Sequence, residues 1–196
     1  MKKVILVDGN NLLFRSYYAT AYQGNFMKNS KGFPTNALYG FVNMINKIIN
    51  DEKPEYMLVA FDKGKTFRHD KYEDYKAGRI EMPNELKQQF PVAKEILTNL
   101  GIKWFEIDNY EADDIVGTLS KMIDDCDDYR GLIVSSDKDL LQLITDKVIM
   151  KMLKPKDYVM MTKETFFDVY GLTPEKMIDI KALQGDSSDN IPGVKG

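Results

Sequence analysis

The sequence predicts an α/β fold with a central, mostly parallel β-sheet and helices on both faces of that sheet. Short apolar runs typical of buried strands alternate with longer stretches whose apolar residues recur every three or four positions. Several of the apolar runs end in an aspartate. At 196 residues, the chain is long enough for one large domain with a substantial core.

The elements follow one another as repeated strand–helix units. Lys3–Val7 predicts a buried strand, and Asn10–Ala19 predicts the helix after it. Thr35 suits the N-cap of a second amphipathic helix, which Lys53-Pro54 ends. The further predicted strands are Tyr56–Phe61, Ile102–Ile107, Gly131–Val134, Val148–Met152 and Tyr158–Met161, the last two as a hairpin. The further predicted helices are Asn84–Leu100 with a kink or fresh start at Pro91, Ala112–Ile123, Lys138–Ile144, Thr162–Tyr170 and Pro174–Leu183.

One segment, Lys63–Met82, departs from this rhythm because it is polar, basic and without a core-facing stripe. If Phe67–Arg79 is helical, one face of it is cationic and aromatic and the opposite face is acidic. Such a face can bind phosphates and stack bases. Its residues are Arg68, Tyr72, Tyr75, Lys76 and Arg79.

Carboxylates mark the ends of three predicted strands, at Asp8, Asp62 and Asp137. The carboxyl ends of parallel strands form one edge of the sheet, where ligands bind, so we expect these side chains to lie close together. Other acids follow strands or lie near the end of the chain. The full candidate set is Asp8, Asp62, Glu111, Asp113, Asp114, Asp137, Asp139, Asp186 and Asp189.

Nine carboxylates in one cleft would repel one another and raise their pKa values unless cations neutralised them. Mg²⁺ and Mn²⁺ prefer oxygen ligands, and pairs of such ions about 3.5–4 Å apart hydrolyse phosphodiesters. The net charge of the chain is −3, but without these nine acids the remainder carries 27 basic and 21 acidic side chains. A basic body around an acidic pocket suits a polyphosphate substrate.

Composition excludes several classes of function. A single cysteine, Cys126, and a single histidine, His69, exclude internal disulfides, cysteine-based zinc sites and histidine-rich metal sites. The sequence has no P-loop, no Gly-x-Ser-x-Gly turn, and no Asp-x-Asp after the first strand as in haloacid dehalogenase-type phosphatases. No apolar run approaches the ~20 residues of a membrane span, so a cytoplasmic protein is expected.

Five motifs in order resemble the 5′ nuclease domain of bacterial DNA polymerase I and related flap endonucleases. They are VDGNNLLFR, VAFDKGKTFRHDKYEDYKAGR, NYEADDIVGTLS, VSSDKDLLQLI and LQGDSSDNIPGVKG. The resemblance implies a PIN-like, Rossmann-like fold over residues 1–184, with residues 63–100, including Asn84–Leu100, as a helical arch over the active site. Residues 185–196 would open a helix-hairpin-helix-type element that grips duplex DNA.

The resemblance also implies roles for individual residues. Asp8, Asp62, Glu111, Asp113, Asp137 and Asp139 would bind or adjoin two or more Mg²⁺ or Mn²⁺ ions, and Asp186 and Asp189 would shape the second position. Asp114 shares a helix face with Glu111 by spacing, so the choice between Asp113 and Asp114 stays open. Lys76 and Arg79 would contact the scissile phosphate. Further DNA contacts are expected from Arg15, Gly193 and Gly196.

The expected activity is metal-dependent hydrolysis of DNA at 5′ ends and 5′ flaps, by a monomer that is part of or associated with a DNA polymerase on the bacterial nucleoid. A PIN-type ribonuclease would use the same metal chemistry, although the Gly185–Gly196 motif favours DNA. A fragment that binds branched DNA without cutting it is the alternative from another class. The concentration of acids weighs against a pure binder, because phosphate must approach the same place.

Overall fold

The computed structural model describes residues 1–21, 27–155 and 157–194. Its central sheet has six strands in the order β3-β2-β1-β4-β5-β6. The first five strands are parallel and β6 is antiparallel to β5, which confirms the predicted sheet and its terminal hairpin. The strands are β1 (Lys2–Asp8), β2 (Tyr56–Ala60), β3 (Lys103–Phe105), β4 (Tyr129–Ser135), β5 (Val148–Leu153) and β6 (Tyr158–Met161).

The helices connect these strands across both faces of the sheet. The helix predicted over Lys138–Ile144 is a 3₁₀ segment, Lys138–Leu143, and the helix predicted over Pro174–Leu183 begins with another, Pro174–Lys176. The α-helices are α1 (Gly9–Thr20), α2 (Asn36–Glu52), α3 (Phe67–Lys71), α4 (Asn84–Lys87), α5 (Gln89–Asn99), α6 (Ala112–Asp124), α7 (Lys163–Tyr170) and α8 (Met177–Gln184). No helix within the described ranges is both long and apolar enough to cross a membrane.

Strand β1 lies in the middle of the sheet and divides the core into two layers. Its Ile5 and Val7 belong to a buried cluster with apolar residues of α1, α2 and α5. Leu6, between them, belongs to a second cluster with residues of α6 and α7. This alternation is the period of two expected of a strand covered on both faces. Because β2 and β4 flank β1, the strand order reverses at β1 and opens a crevice beyond its carboxyl end.

The turn from β1 into α1 brings the backbone of Gly9 against the core. A Cβ atom there would lie 2.5 Å from Cε1 of Phe61 and 2.8 Å from Cγ1 of Val59, and both side chains are fully buried. We therefore expect Gly9→Ala to destabilise the fold by about 1–3 kcal/mol. Urea denaturation measures the change, with Gly78→Ala as the matched control because a Cβ at Gly78 meets nothing within 4 Å. Equal midpoints for the two variants would contradict the prediction.

The segment that spans residues 63–100 differs from its prediction in two ways. The helix predicted over Phe67–Arg79 ends at Lys71, and Lys76 adopts a left-handed φ of 59°. The predicted helix Asn84–Leu100 divides into α4 and α5, with Pro91 in the first turn of α5, where proline is tolerated. Because Leu86, Ala93 and Leu97 are fully buried in the core, these two helices pack on the body of the fold and do not form a free-standing arch.

The described part of the predicted DNA-gripping element forms a small antiparallel pair, β7 (Gly185–Asp186) with β8 (Ile191–Pro192). The backbone N–H of Lys76 donates to the carbonyl of Asp189 at 3.1 Å. The Tyr72 hydroxyl donates to the carbonyl of Asn190 at 3.2 Å. The end of the chain thus packs against the irregular segment after α3.

Candidate functional site

A cavity of about 730 Å³ lies at the carboxyl edge of the sheet, beyond β1, β2 and β4. It is lined by eight of the nine predicted acids, together with basic residues on its rim. The acids come from three strand ends, the start of α6, the 3₁₀ segment after β4, and the β7–β8 pair. They are Asp8, Asp62, Glu111, Asp113, Asp137, Asp139, Asp186 and Asp189. The structure therefore brings together side chains that are as many as 181 positions apart in sequence.

Asp8 is the most buried aspartate of this cavity, with 5% of its surface exposed. Its carboxylate accepts the backbone N–H of Asn11 at 2.9 Å, which caps α1, and the hydroxyl of Ser135 at 3.0 Å. Burial raises the pKa of Asp8 to about 7, and the charges of Asp62 and Asp137 add to that rise against the lowering effect of the two hydrogen bonds. The two hydrogen bonds fix the Asp8 carboxylate in place, while burial and the neighbouring negative charges disfavour its ionised form.

Asp62 is oriented by residues of α1 and α6, and Asp137 by contacts with residues next to it in sequence. Asp62 accepts the side-chain amide of Asn10 at 2.8 Å and the backbone N–H of Ala112, the first residue of α6, at 2.7 Å. Burial raises the pKa of Asp62 despite these bonds. The backbone N–H of Asp137 donates to the Ser135 hydroxyl at 3.0 Å, and its carboxylate caps the following 3₁₀ segment.

The first turn of α6 directs Asp113 and Asp114 to different places. Asp113 lines the cavity, where burial and the charges of Asp8, Asp137 and Asp62 raise its pKa to about 8. Asp114 makes two hydrogen bonds with the guanidinium of Arg68, at 2.7 and 2.8 Å, and accepts the backbone N–H of Glu111 at 2.9 Å. The Asp114 carboxylate therefore lies outside the cavity lining, where it caps the helix and pairs with Arg68 of α3, and its role as a metal ligand stays a prediction.

Glu111 connects the irregular segment after α3 to the cavity. Lys76 donates to it at 2.8 Å, the Tyr75 hydroxyl at 3.2 Å and the Thr66 hydroxyl at 3.4 Å, while only 7% of Glu111 is exposed. Tyr75 itself is 6% exposed, and burial with the nearby charge of Glu111 raises its pKa. In this structure the Tyr75 ring is enclosed and its hydroxyl donates to Glu111, so the predicted stacking on a base would require the ring to become exposed.

The other predicted DNA contacts of this segment remain at the surface or rim. Arg79 forms an ion pair with Asp189 and keeps about half of its side chain exposed. Tyr72 is 39% exposed. Arg68 lines the cavity but is engaged by Asp114, which raises the pKa of the guanidinium. Lys76 and Arg79 are thus cations that line the acidic cavity, each paired with one of its carboxylates.

Lys181 on α8 joins two of the acids and was not predicted as a site residue. Its ammonium lies 2.5 Å from Asp139 and 2.7 Å from Asp186. Although partial burial opposes the charged form, these two carboxylates raise the pKa of Lys181. The pKa of Asp186 falls well below its usual range because Lys181 and Ser188 donate to it. In the sequence, Lys181 and Asp186 are five residues apart, and this spacing alone does not predict a contact. The contact forms because α8 is followed directly by β7, which carries Asp186.

Three predicted DNA contacts lie elsewhere. Arg15, on α1, donates to the carbonyl of Lys154 after β5, and lies outside the cavity. Gly193 packs against the end of α8, where a Cβ would meet the Gln184 carbonyl oxygen at 2.3 Å. Gly196 lies outside the described residues.

The donor set of the cavity fits oxygen-loving divalent cations. Carboxylates are the ligands that Mg²⁺ and Mn²⁺ prefer, and burial together with the charges of neighbouring aspartates raises the pKa values of Asp8 and Asp113. Among residues 1–21, 27–155 and 157–194, no three acidic, histidine or cysteine side chains already form a ready-made set around one point. The outer carboxylates are instead held by Lys76, Arg79 and Lys181.

Comparison with known proteins places this chain in a family. Residues 3–171 match the family described as 5′-3′ exonuclease, N-terminal resolvase-like domain. The whole chain is 48% identical to DNA polymerase I of Bacillus subtilis but spans only 22% of that protein. It is also 46% identical, over 99% of its length, to a 5′-3′ exonuclease of the same organism, of which it covers 66%.

A solved structure supports the same assignment. The flap endonuclease of bacteriophage T5, described as a pseudo-enzyme-product complex with DNA and metal ions, is 28% identical with a TM-score of 0.74. The match covers 100% of this chain and 71% of the phage protein, and it confirms the PIN-like α/β fold. By sequence and by fold, the chain belongs to the family of 5′-3′ exonuclease N-terminal, resolvase-like domains.

Proposed function

We propose that this chain is a divalent-metal-dependent 5′ nuclease that hydrolyses DNA phosphodiesters at 5′ ends and at the junctions of 5′ flaps. The observation that carries the proposal is the cavity lined by eight carboxylates and faced by Lys76, Arg79 and Lys181. An acidic cavity repels a phosphodiester unless cations fill it, and cationic side chains opposite the acids suit a substrate with negative charge.

The inner carboxylates of Asp8, Asp62, Asp113 and Asp137 are the residues that would hold Mg²⁺ or Mn²⁺. Glu111 and Asp139 adjoin them, and Asp186 and Asp189 would complete a second position, so we propose two or more ions. When bound, such ions supply Lewis-acid polarisation of the phosphate and acidify the attacking water. Attack in line with the leaving oxygen is the expected geometry for hydrolysis of a phosphodiester.

Lys76 and Arg79 would offset negative charge that develops on the phosphate during attack. In this structure Lys76 pairs with Glu111, and Arg79 pairs with Asp189. To contact a bound phosphate, each cation would exchange its carboxylate partner for the phosphate. Tyr72 keeps an exposed face beside them and is the residue that would stack on a base next to the scissile phosphate.

The relatives suggest the wider setting of this activity. We propose that the chain acts as a monomer, within or alongside a DNA polymerase, in the bacterial cytoplasm on the nucleoid. Residues 1–184 would be the catalytic domain, and residues 185–196 would begin a helix-hairpin-helix-type element. Residues 72–79, packed on that end of the chain, would lie over the bound strand.

Cleavage of labelled 5′-flap DNA tests the proposal. We expect cutting in Mg²⁺ or Mn²⁺, none in EDTA, and slower cutting of an RNA flap of the same sequence. Asp137→Asn keeps the capping oxygen that accepts the N–H of Asp139, so it should bind DNA normally while cutting at least ~100-fold more slowly. Cutting that persists in EDTA would exclude the metal mechanism. Preference for RNA would indicate a ribonuclease, and DNA binding without cutting in any metal would indicate a pure binder.

A further inference from the structure

Two consecutive asparagines at the start of α1 make hydrogen bonds to opposite sides of the crevice. Asn10 and Asn11 occupy the second and third positions of the helix, where local capping of the backbone is an ordinary role for such residues. Here the capping is done by Asp8, which accepts the N–H of Asn11. The asparagine side chains reach residues 52 and 125 positions away in sequence, so turn chemistry alone does not explain them.

Asn10 makes a reciprocal contact with the end of β2. Its amide nitrogen Nδ2 donates to Oδ2 of Asp62 at 2.8 Å, and its Oδ1 accepts the backbone N–H of Asp62 at 3.1 Å. Two bonds between one planar amide and one residue fix both the distance and the orientation of the carboxylate. The remaining oxygen of Asp62 accepts the N–H of Ala112, so the carboxylate is held from α1 and α6 together.

Asn11 makes the matching contact with the end of β4, on the other side of β1. Its Oδ1 accepts both the backbone N–H of Ser136 at 3.0 Å and the Ser136 hydroxyl at 2.8 Å. The preceding Ser135 donates to Asp8 and accepts the N–H of Asp137. Asn11 therefore acts as an acceptor that secures the turn carrying Asp137.

We propose that Asn10 and Asn11 are positioning residues that bridge the crevice and set the places of Asp62 and Asp137 on either side of Asp8. Since β1 lies between β2 and β4, two neighbouring residues on one helical turn can reach both flanking strand ends at once. Carboxylates gathered at one edge of the sheet repel one another and would otherwise move apart. The bridge acts through the carboxylates; it rests on the metal site of the proposed function for its effect on Mn²⁺ binding, and on the proposed nuclease activity only for its effect on cleavage.

The two asparagines differ in the atom they use, and this makes the proposal testable. Asn10 needs its amide donor to bind Asp62, whereas Asn11 uses only its acceptor oxygen toward Ser136. Aspartate has the shape of asparagine but has lost the donor. Asn10→Asp should therefore break its contact and Asn11→Asp should keep it. Both variants add one negative charge on the same turn of α1, so the charge itself is matched between them.

Titration of the intact protein with Mn²⁺ by calorimetry is the primary measurement. We expect Asn10→Ala, Asn11→Ala and Asn10→Asp to bind Mn²⁺ about 10- to 100-fold more weakly than wild type, as for other partners that orient metal ligands. Asn11→Asp should remain within about threefold of wild type, because its acceptor contact survives. Asn46→Ala and Asn46→Asp, on the exposed surface of α2, are matched controls and should change nothing. Melting temperatures in EDTA show whether each variant is folded.

Cleavage kinetics provide the second measurement. The weakened variants should lose kcat at fixed Mn²⁺ while KM for flap DNA stays unchanged, because the carboxylates and not the DNA contacts have moved. Wild-type Mn²⁺ affinity in either alanine variant, equal behaviour of Asn10→Asp and Asn11→Asp, or no Mn²⁺ binding by wild type would each overturn the proposal. If wild type binds Mn²⁺ but never cuts DNA, the proposed function fails and the Mn²⁺ titration still decides the role of the asparagines.

Discussion

Replacing Asp113 by asparagine is expected to stop DNA cleavage and, in the absence of metal, to make the fold more stable. Burial and the charges of Asp8, Asp137 and Asp62 raise the pKa of Asp113 to about 8, so its ionised form opposes folding. Because the folded-state pKa lies above the unfolded value of 3.8, this cost grows as pH rises between the two values and is complete above about pH 8. Asparagine keeps the shape and removes the charge.

The measurement combines activity with melting temperature. At pH 8 in EDTA, we expect Asp113→Asn to melt about 2–6 °C above wild type, which is about 1–2 kcal/mol for a chain of this size. The advantage should shrink at pH 6. In Mg²⁺, wild type should gain more stability than the variant, since a bound cation stabilises the folded state. Cleavage should fall at least ~100-fold.

Asp128→Asn, in an exposed loop, is the matched control and should leave both activity and melting temperature unchanged. Wild-type cleavage by Asp113→Asn would remove this residue from the metal-binding set. A lower melting temperature than wild type at pH 8 in EDTA would mean that the crowding of carboxylates is not a net cost to the fold.

The meeting of the three strand-end aspartates at one edge of the sheet could be predicted from the sequence, because it depends only on the strands being parallel. Short apolar runs identify β1, β2 and β4. An aspartate that lines the cavity is the last residue of β1 and lies two residues after the ends of β2 and β4: Asp8, Asp62 and Asp137. In a parallel sheet these positions meet whatever the connecting segments do. The fold class and the centre of the site therefore follow from local pattern and one rule of geometry.

Side-chain roles on the first turn of α6 and after α3 were not predictable in the same way. Helix spacing correctly placed Asp114 beside Glu111. It could not show that Arg68 would pair with Asp114 or that Asp113 would line the cavity. The cationic face predicted for Phe67–Arg79 required one continuous helix. The helix instead ends at Lys71, and the backbone N–H of Lys76 donates to the carbonyl of Asp189, 113 residues further on. Such partners become visible only when the chain is folded.

The carboxylates of the site fall into two groups, which differ in whether cationic side chains of this chain pair with them. The inner group around Asp8 and Asp113 has raised pKa values and calls for added cations. The outer acids already face the cations of this chain: Glu111 faces Lys76, Asp189 faces Arg79, and Asp139 and Asp186 share Lys181. Removing a charge should therefore affect stability in opposite directions in the two groups, although activity is lost in both.

Lys76→Met is expected to destabilise the protein and to slow cleavage by about 100-fold or more, the usual effect of removing one cationic or hydrogen-bonding group that stabilises a transition state. The variant leaves Glu111 buried without the ammonium that lies 2.8 Å from it. Breaking a fully buried pair costs about 3–5 kcal/mol; we expect roughly 2–4 kcal/mol because Tyr75 and Thr66 still donate to Glu111. Urea denaturation in EDTA measures this loss, with the exposed Lys65→Met as control.

The double variant Lys76→Met with Glu111→Gln separates the two roles of Lys76. Glutamine removes the unpaired buried charge, so stability should return to within about 1 kcal/mol of wild type, since a neutral pair avoids most of the penalty. Cleavage should stay low, because neither substitution restores a cation opposite the phosphate. Recovery of cleavage in the double variant would make Lys76 a purely structural residue. Wild-type stability of Lys76→Met alone would mean that the ion pair does not hold residues 72–79 against the cavity.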